Sequence, residues 1–258
     1  MKKYLNNDRP TERFTNRVGD YKKHRPGYPQ KLVTILVENE ALPQNAIVAD
    51  VGAGTGHWSR ELLPHVRTLY AVEPNNEMRR EAESAFESAP NYISIDGTAE
   101  ATELHNHSVD LITAAQAFHW FDAEQARREF KRILKPGGHV ALVWNVRDTE
   151  ADEFQREYDN LLRTHIVDFK KTFARSASDE HIFRFYATQQ VEIFVAANDQ
   201  LFDLDSLLGR LMSSSYAPKP PSPIYDTLIQ EMTALFNRHN QNGRVRFIYQ
   251  SKLYLGQL

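Results

Sequence analysis

The stretch Ala46-Ile47-Val48-Ala49-Asp50-Val51-Gly52-Ala53-Gly54-Thr55-Gly56 decides how the rest of the chain is read. A short apolar segment carries an acid near its end and then breaks into three glycines at alternate positions. The apolar part reads as a buried strand, and the glycines as a turn whose backbone must come close to a ligand. His57–Val66 reads as a helix whose free N–H groups and positive dipole end point at the same spot. Strand, glycine turn and helix N-terminus together form a cradle for a nucleotide-like cofactor.

Around this cradle, apolar strand candidates alternate with helical patterns. Thr68–Val72, Tyr92–Ile95, Val109–Ala115 and Val140–Trp144 are the further strands; Glu77–Phe86 and Asp122–Leu134 are the helices between them. Asp122 with Gln125 is a capping pair for the last helix, and Lys135-Pro136-Gly137-Gly138 stops it. Strands that are apolar nearly throughout, separated by helices, predict an α/β fold whose parallel sheet is covered on both faces. Beyond Asp148 helical spacing dominates to about residue 188, longer than an ordinary crossover, so part of it forms a cap. A vague strand signal spans Val191–Phe202. A helix follows with Ser222 as N-cap and Pro223 in its first turn, its stripe being Ile224, Leu228, Met232, Leu235 and Phe236. Val245, Phe247, Tyr249, Leu253 and Leu255 alternate with polar residues, which predicts a closing antiparallel strand with one wetter face.

The chain has 258 residues, 41% hydrophobic and 25% charged, enough for one sizeable core, and its net charge of −3 exerts no global pull toward nucleic acid. Residues 1–31 are different, with nine Lys/Arg against three Asp/Glu. They read either as a solvated arm or as a basic flap over an anionic ligand. There is no cysteine, which excludes disulfides, thiolate nucleophiles and cysteine-based zinc sites. Met1-Lys2-Lys3 is followed by no apolar run, and no window approaches the roughly 18 apolar residues of a membrane span. A cytoplasmic protein is the expectation.

Three cofactors compete for the glycine turn. A dinucleotide fingerprint needs G-x-G-x-x-G, but the third glycine position counted from Gly52 is His57. A phosphate loop needs Lys-Ser/Thr after the glycines, where His57-Trp58 stands. The third reading is S-adenosylmethionine (SAM). Its methionine carboxylate suits helix N–H donors and its ammonium suits backbone carbonyls. Glu73, at the end of the second strand and 23 residues after Asp50, can accept hydrogen bonds from both ribose hydroxyls. Gln116 ends the fourth strand, at the sheet edge where open α/β proteins bind ligands.

Asp50-x-Gly52-x-Gly54-x-Gly56 resembles the first motif of class I SAM-dependent methyltransferases, and the other elements follow in that family's order. Ala117-Phe118-His119-Trp120-Phe121-Asp122, Tyr21-x-x-x-Arg25-Pro26-x-Tyr28-Pro29 and Ser213-Ser214-Ser215-Tyr216 are similar to the trans-aconitate-methyltransferase-like small-molecule group, with a methyltransferase type 11 domain. The resemblance covers nearly the whole chain. It implies a Rossmann-like sheet, mostly parallel with an antiparallel C-terminal strand, in a single domain over residues 1–258. Residues 1–31 would serve as lid or arm and 148–188 as helical insertion or cap.

It also implies that Tyr21, Arg25, Asp50, Gly52, Gly54, Glu73, Thr98, Ala99 and Gln116 contact SAM. Thr98 stands where the family commonly has an acid. Tyr28, Trp120 and Asn145 face the substrate. His119 is either a general base or a wall of the site, since a carboxylate nucleophile needs no base. Gln116 and Asn145 occupy the strand ends where metal-dependent members hold acids, so no metal is expected. The expected reaction is methyl transfer to a small molecule, with an oxygen nucleophile favoured, no nucleic-acid or membrane partner, and no prediction of oligomeric state. The alternatives are an RNA or protein methyltransferase, an NAD-dependent oxidoreductase and a non-catalytic SAM-binding protein.

Overall fold

A computed structural model describes residues 27–166, 179–187, 190–214, 217–218 and 221–258. Its centre is a sheet of seven strands in the order β3-β2-β1-β4-β5-β9-β6. The strands are β1 (Ile47–Val51), β2 (Thr68–Val72), β3 (Tyr92–Ile95), β4 (Val109–Ala115), β5 (Leu134–Arg147), β6 (Val191–Ala197) and β9 (Tyr249–Gly256). β1 to β5 pair in parallel, and β9 inserts antiparallel between β5 and β6. Chain order reverses between β1 and β4, and the crevice at their carboxyl ends is the ligand position of open α/β sheets.

Helices cover both faces, as the continuous apolar strands require. On one face α1 (Lys31–Glu38) and α2 (His57–Leu62) contribute Leu32, Leu36, Trp58 and Leu62 to a core shared with Val48 and Leu111. α3 (Asn76–Ala85) follows β2, capped by the Asn75 side chain, which accepts from the N–H groups of Glu77 and Met78. On the other face, α4 (Ala123–Ile133) and α6 (Asp179–Tyr186) bring Ala126, Phe130, Ile133 and Phe185 against Ala49, Val51 and Ile112. Asp122 caps α4 by accepting from the Gln125 N–H at 3.2 Å. Gln125 does not reach back to the Asp122 backbone; that N–H donates to Glu100 Oε1 at 2.8 Å, tying the loop after β3 to the turn after β4.

A third core lies beyond the carboxyl edge. α5 (Glu153–His165), α7 (Leu204–Met212), α8 (Pro223–His239) and the hairpin of β7 (Gln200–Phe202) with β8 (Val245–Phe247) bury Phe154, Tyr158, Leu207, Leu228, Met232 and Phe247 together. Three sequence expectations need correction here. β5 starts at Leu134 and runs through Lys135–Gly138; the register jumps from Val109–Leu134 to Leu111–His139, so that segment is a bulge at the strand's start. The closing strand is two strands in two sheets, β8 and β9. Leu253, Tyr254 and Leu255 are all buried because β9 is interior and covered on both faces. Ile224 of the α8 stripe is 49% exposed, since the helix's first turn extends past the cap core.

Candidate functional site

β1 delivers Asp50 to the crevice almost completely buried. Its carboxylate accepts from Ser59 Oγ at 2.6 Å and from Thr113 Oγ1 at 3.1 Å. One acid therefore ties the first turn of α2 to β4. Burial pushes its carboxyl up to about 6; the bonds from Ser59 and Thr113 pull the other way, and the charge of Glu73 adds to the rise.

The chain then turns through Gly52 and Gly54, at φ +71° and +58°. A Cβ at Gly52 would stand 2.5 Å from the Ala117 Cβ, so the β1 turn can pass under the β4 turn only without a side chain. At Gly54 a Cβ would meet only Met78 Sδ, at 3.8 Å; the protein leaves that side of the turn open toward the cleft. The Gly54 N–H donates to Glu73 Oε2 at 2.9 Å, and the Asn75 N–H donates to Glu73 Oε1 at 2.8 Å. Each Glu73 oxygen thus holds one backbone donor and keeps a lone pair for another. Burial raises the Glu73 carboxyl, against these two bonds and the charge of Arg79.

Gln116 closes the β4 side with φ +55°, a left-handed backbone that is uncommon outside glycine and is found where a site is held under strain. Its Nε2 donates to the Asn145 carbonyl at 2.9 Å. The Asn145 side chain is itself fixed. Its Oδ1 accepts from Ser251 Oγ and from Asn198 Nδ2, the latter at 3.1 Å, and its Nδ2 donates to the Gly27 carbonyl at 3.2 Å. The result is a polar floor across β4, β5 and β9.

One cleft is lined by Tyr28, Asp50, Gly52, Gly54, Gln116 and Asn145, which the sequence singled out, together with Ala53, Thr55, His57, Trp58 and Ala115, which it did not. Glu73 adjoins it through Gly54. Ala99 is buried in the core and Thr98 is exposed, its Oγ1 accepting from the Ala101 N–H at 3.2 Å. His119 and Trp120 sit in a 3₁₀ turn, Phe118–Trp120, with their rings 4.8 Å apart, and neither is among the residues lining the cleft. Tyr21 and Arg25 lie outside the described residues.

The two most informative residues missed by the sequence are Thr55 and Trp58. Thr55 Oγ1 and Trp58 Nε1 are buried and make no hydrogen bond among the described residues. Trp58 packs edge-on against Tyr28, ring centroids 5.2 Å apart. A tryptophan at the second position of a helix is indistinguishable in sequence from a core residue, so no local signal marks it. A buried N–H donor, a buried hydroxyl, backbone donors at a helix start and a carboxylate with spare lone pairs match the carboxylate and ribose diol of SAM. The residues fit the cofactor.

Residues 49–142 match the family described as a methyltransferase domain. An uncharacterized methyltransferase-like protein of Schizosaccharomyces pombe is 38% identical over 136 residues, 52% of each chain. An uncharacterized methyltransferase of Mycobacterium tuberculosis is 38% identical over 135 residues, 52% of this chain and 53% of that one. The chain spans about half the length of these curated relatives. Among solved structures, the YcgJ protein of Bacillus subtilis superposes with a TM-score of 0.58 at 23% identity, covering 88% of this chain and 98% of that one. A SAM-dependent methyltransferase from Aquifex aeolicus gives 0.50 at 17%, covering 72% and 92%. The sheet order and these matches agree: residues 49–142 are similar to a methyltransferase domain, and the fold is one that solved methyltransferase structures share.

Proposed function

We propose that this protein transfers the methyl group of SAM to the oxygen of a small molecule. The observation that carries the cofactor is Glu73: a buried carboxylate locked onto the glycine turn by the Gly54 N–H, at the sheet's topological switch. When bound, SAM supplies an electrophilic methyl on a sulfonium sulfur. The chain's own task is alignment, because an in-line substitution gains most from fixed geometry. Glu73 would accept from the ribose hydroxyls. Trp58 Nε1, Thr55 Oγ1 and the amides at the start of α2 would hold the amino-acid carboxylate, with Tyr21 and Arg25 of the N-terminal segment, Thr98 and Ala99 as further contacts. Gln116 and Asn145, clamped to each other and to β9, would set where the acceptor can lie, beside Tyr28 and Trp120.

His119 packs on Trp120 and is not among the residues lining the cleft, which weighs against its reading as a base there. That arrangement suits a carboxylate acceptor, which is already ionised at neutral pH. A small-molecule partner, rather than a nucleic acid or a membrane, remains the expectation from the near-neutral composition.

The test is calorimetry with S-adenosylhomocysteine (SAH) and NADH. SAH is expected to bind, NADH is not, and Glu73→Ala is expected to weaken SAH at least tenfold while the fold persists. Binding of NADH in place of SAH would overturn the proposal.

A further inference from the structure

β5 continues past the end of β4. The last pair between them is Ala115–Val143, yet β5 runs on to Arg147, held by β9 through the pair Arg147–Tyr249. Side chains alternate along a strand, so Arg147 shares a face with Asn145 of the cleft and stands roughly 7 Å beyond it. This extension enters the cap core.

The Arg147 side chain is only 9% exposed. Its Nη2 donates to Asp159 Oδ1 at 2.7 Å, and the guanidinium lies over the Tyr158 ring at 4.5 Å. Asp159 is shared, because its other oxygen takes the Nε of Arg163. One carboxylate therefore serves two guanidinium groups, and Nη1 of Arg147 is buried with no hydrogen-bond partner among the described residues. A buried cationic donor without an acceptor is a standing demand for one.

A second arginine bonds to the strand that pairs with this end of β5. Arg210, in the last turn of α7, donates from Nη2 to the Tyr249 hydroxyl at 3.2 Å and from Nη1 to Ser214 Oγ at 3.0 Å. Tyr249 is the cross-strand partner of Arg147, so the two side chains leave the sheet on the same face. Ser214 belongs to Ser213-Ser214-Ser215-Tyr216, the sequence motif that the cleft leaves without a role; here it positions Arg210.

We propose that Arg147 and Arg210 form a carboxylate-binding site in the cap, which anchors an acid group of the methyl acceptor set back from the atom that reacts. The site rests on the methyltransferase reading for its purpose, though not for its chemistry. A carboxylate fits better than a phosphate. Arg147 offers one nitrogen that has no partner among the described residues, on a guanidinium lying over the rings of Tyr158 and Phe247, enough to hold a singly charged, more weakly hydrated group but too few donors to strip water from a dianion.

The test uses the full chain saturated with SAH and titrated calorimetrically with glutarate and benzoate, with glutaramide and benzamide as neutral counterparts and inorganic phosphate as a third arm. The acids are expected to bind at least tenfold more tightly than the amides. Arg147→Lys, which keeps the charge beside Asp159 but loses the forked donor, and Arg210→Gln are each expected to weaken the acids at least tenfold with SAH affinity unchanged. Equal binding of acids and amides, phosphate bound in preference to the acids, or acid binding untouched by both substitutions would overturn the site. Should Arg147→Lys fail to fold, Arg210→Gln alone decides. Repeating the titration without SAH separates the two readings: acids bound by a protein that ignores SAH would leave the arginine site standing and remove the cofactor.

Discussion

Asp50 holds two elements together, at a cost that depends on pH. Its carboxyl titrates near 6 in the folded protein, against about 3.9 in an unfolded chain. Between those values the native state keeps a proton that the unfolded state has released, so stability falls as pH rises through that window. A shift of about two units corresponds to roughly 3 kcal/mol, all of it lost above pH 6. Burial raises Glu73 in the same direction and adds to the slope. Asp50→Asn removes the titration. Urea unfolding at pH 4 and pH 7 should show the variant gaining about 2–3 kcal/mol on the wild type across that interval; parallel pH profiles would refute the account. The two glycines ahead of the cleft make a second contrast at this scale. Gly52→Ala meets both a positive φ and the Ala117 Cβ at 2.5 Å, and should prevent the native turn. Gly54→Ala meets only the left-handed backbone, about 1–2 kcal/mol, so it should fold and lose SAH binding. If both variants folded and bound SAH alike, the steric distinction would fall.

Among the elements, legibility followed locality. β1, β2 and β4 match the sequence reading to the residue because each is a short apolar run bounded by its own turn, and the bonds of Asp50 to Ser59 and of Glu73 to Gly54 and Asn75 lie within one strand-turn-helix unit and its neighbour; the contacts of Asp50 with Thr113 and of Gly52 with Ala117 are long-range. The segment Lys135–Gly138 read as a stop, since proline and glycine end helices; that the same residues open β5 depends on pairing with β4, which no local pattern encodes. Likewise the floor beneath the cleft, where Asn145 meets Ser251 and Asn198, exists only because β9 returns between β5 and β6. α8 gives the element-scale test. Its stripe was read at a regular spacing, but only Leu228, Met232, Leu235 and Phe236 are buried. Leu228→Ala, fully buried in the cap core, should cost about 2–5 kcal/mol. Ile224→Ala, four residues earlier and half exposed, should stay within about 0.5 kcal/mol. Thermal melting of the two variants distinguishes them, and a similar loss in both would mean that the first turn of α8 is covered in solution.

At the scale of the whole molecule, the sheet with the cores on its two faces meets the cap core along its carboxyl edge. The glycine turn, α2 and Glu73 belong to the sheet's own layers, whereas Tyr158, Leu207, Leu228 and Phe247 form a separate cluster joined to it by the overrun of β5 and β9. A ligand that touches only the first group stabilises the sheet by mass action, about 2.7 kcal/mol at a hundredfold excess over its dissociation constant. It has no contact through which to order the cap beyond Asn145 and its partners. A carboxylate on Arg147 and Arg210 would bond to β5 and α7 at once and so tie the cap to the sheet. Hydrogen exchange should register the two steps separately. SAH alone should slow exchange in the β1 turn, the first turn of α2 and the segment from Glu73 to Met78, leaving α5 and α7 as they were. Adding glutarate to the SAH complex should then slow α7 and the half of α5 that carries Asp159. Protection spreading over the sheet and the cap with SAH alone would show that they respond as one cooperative unit, and the acceptor would then have no separate part in closing the cap.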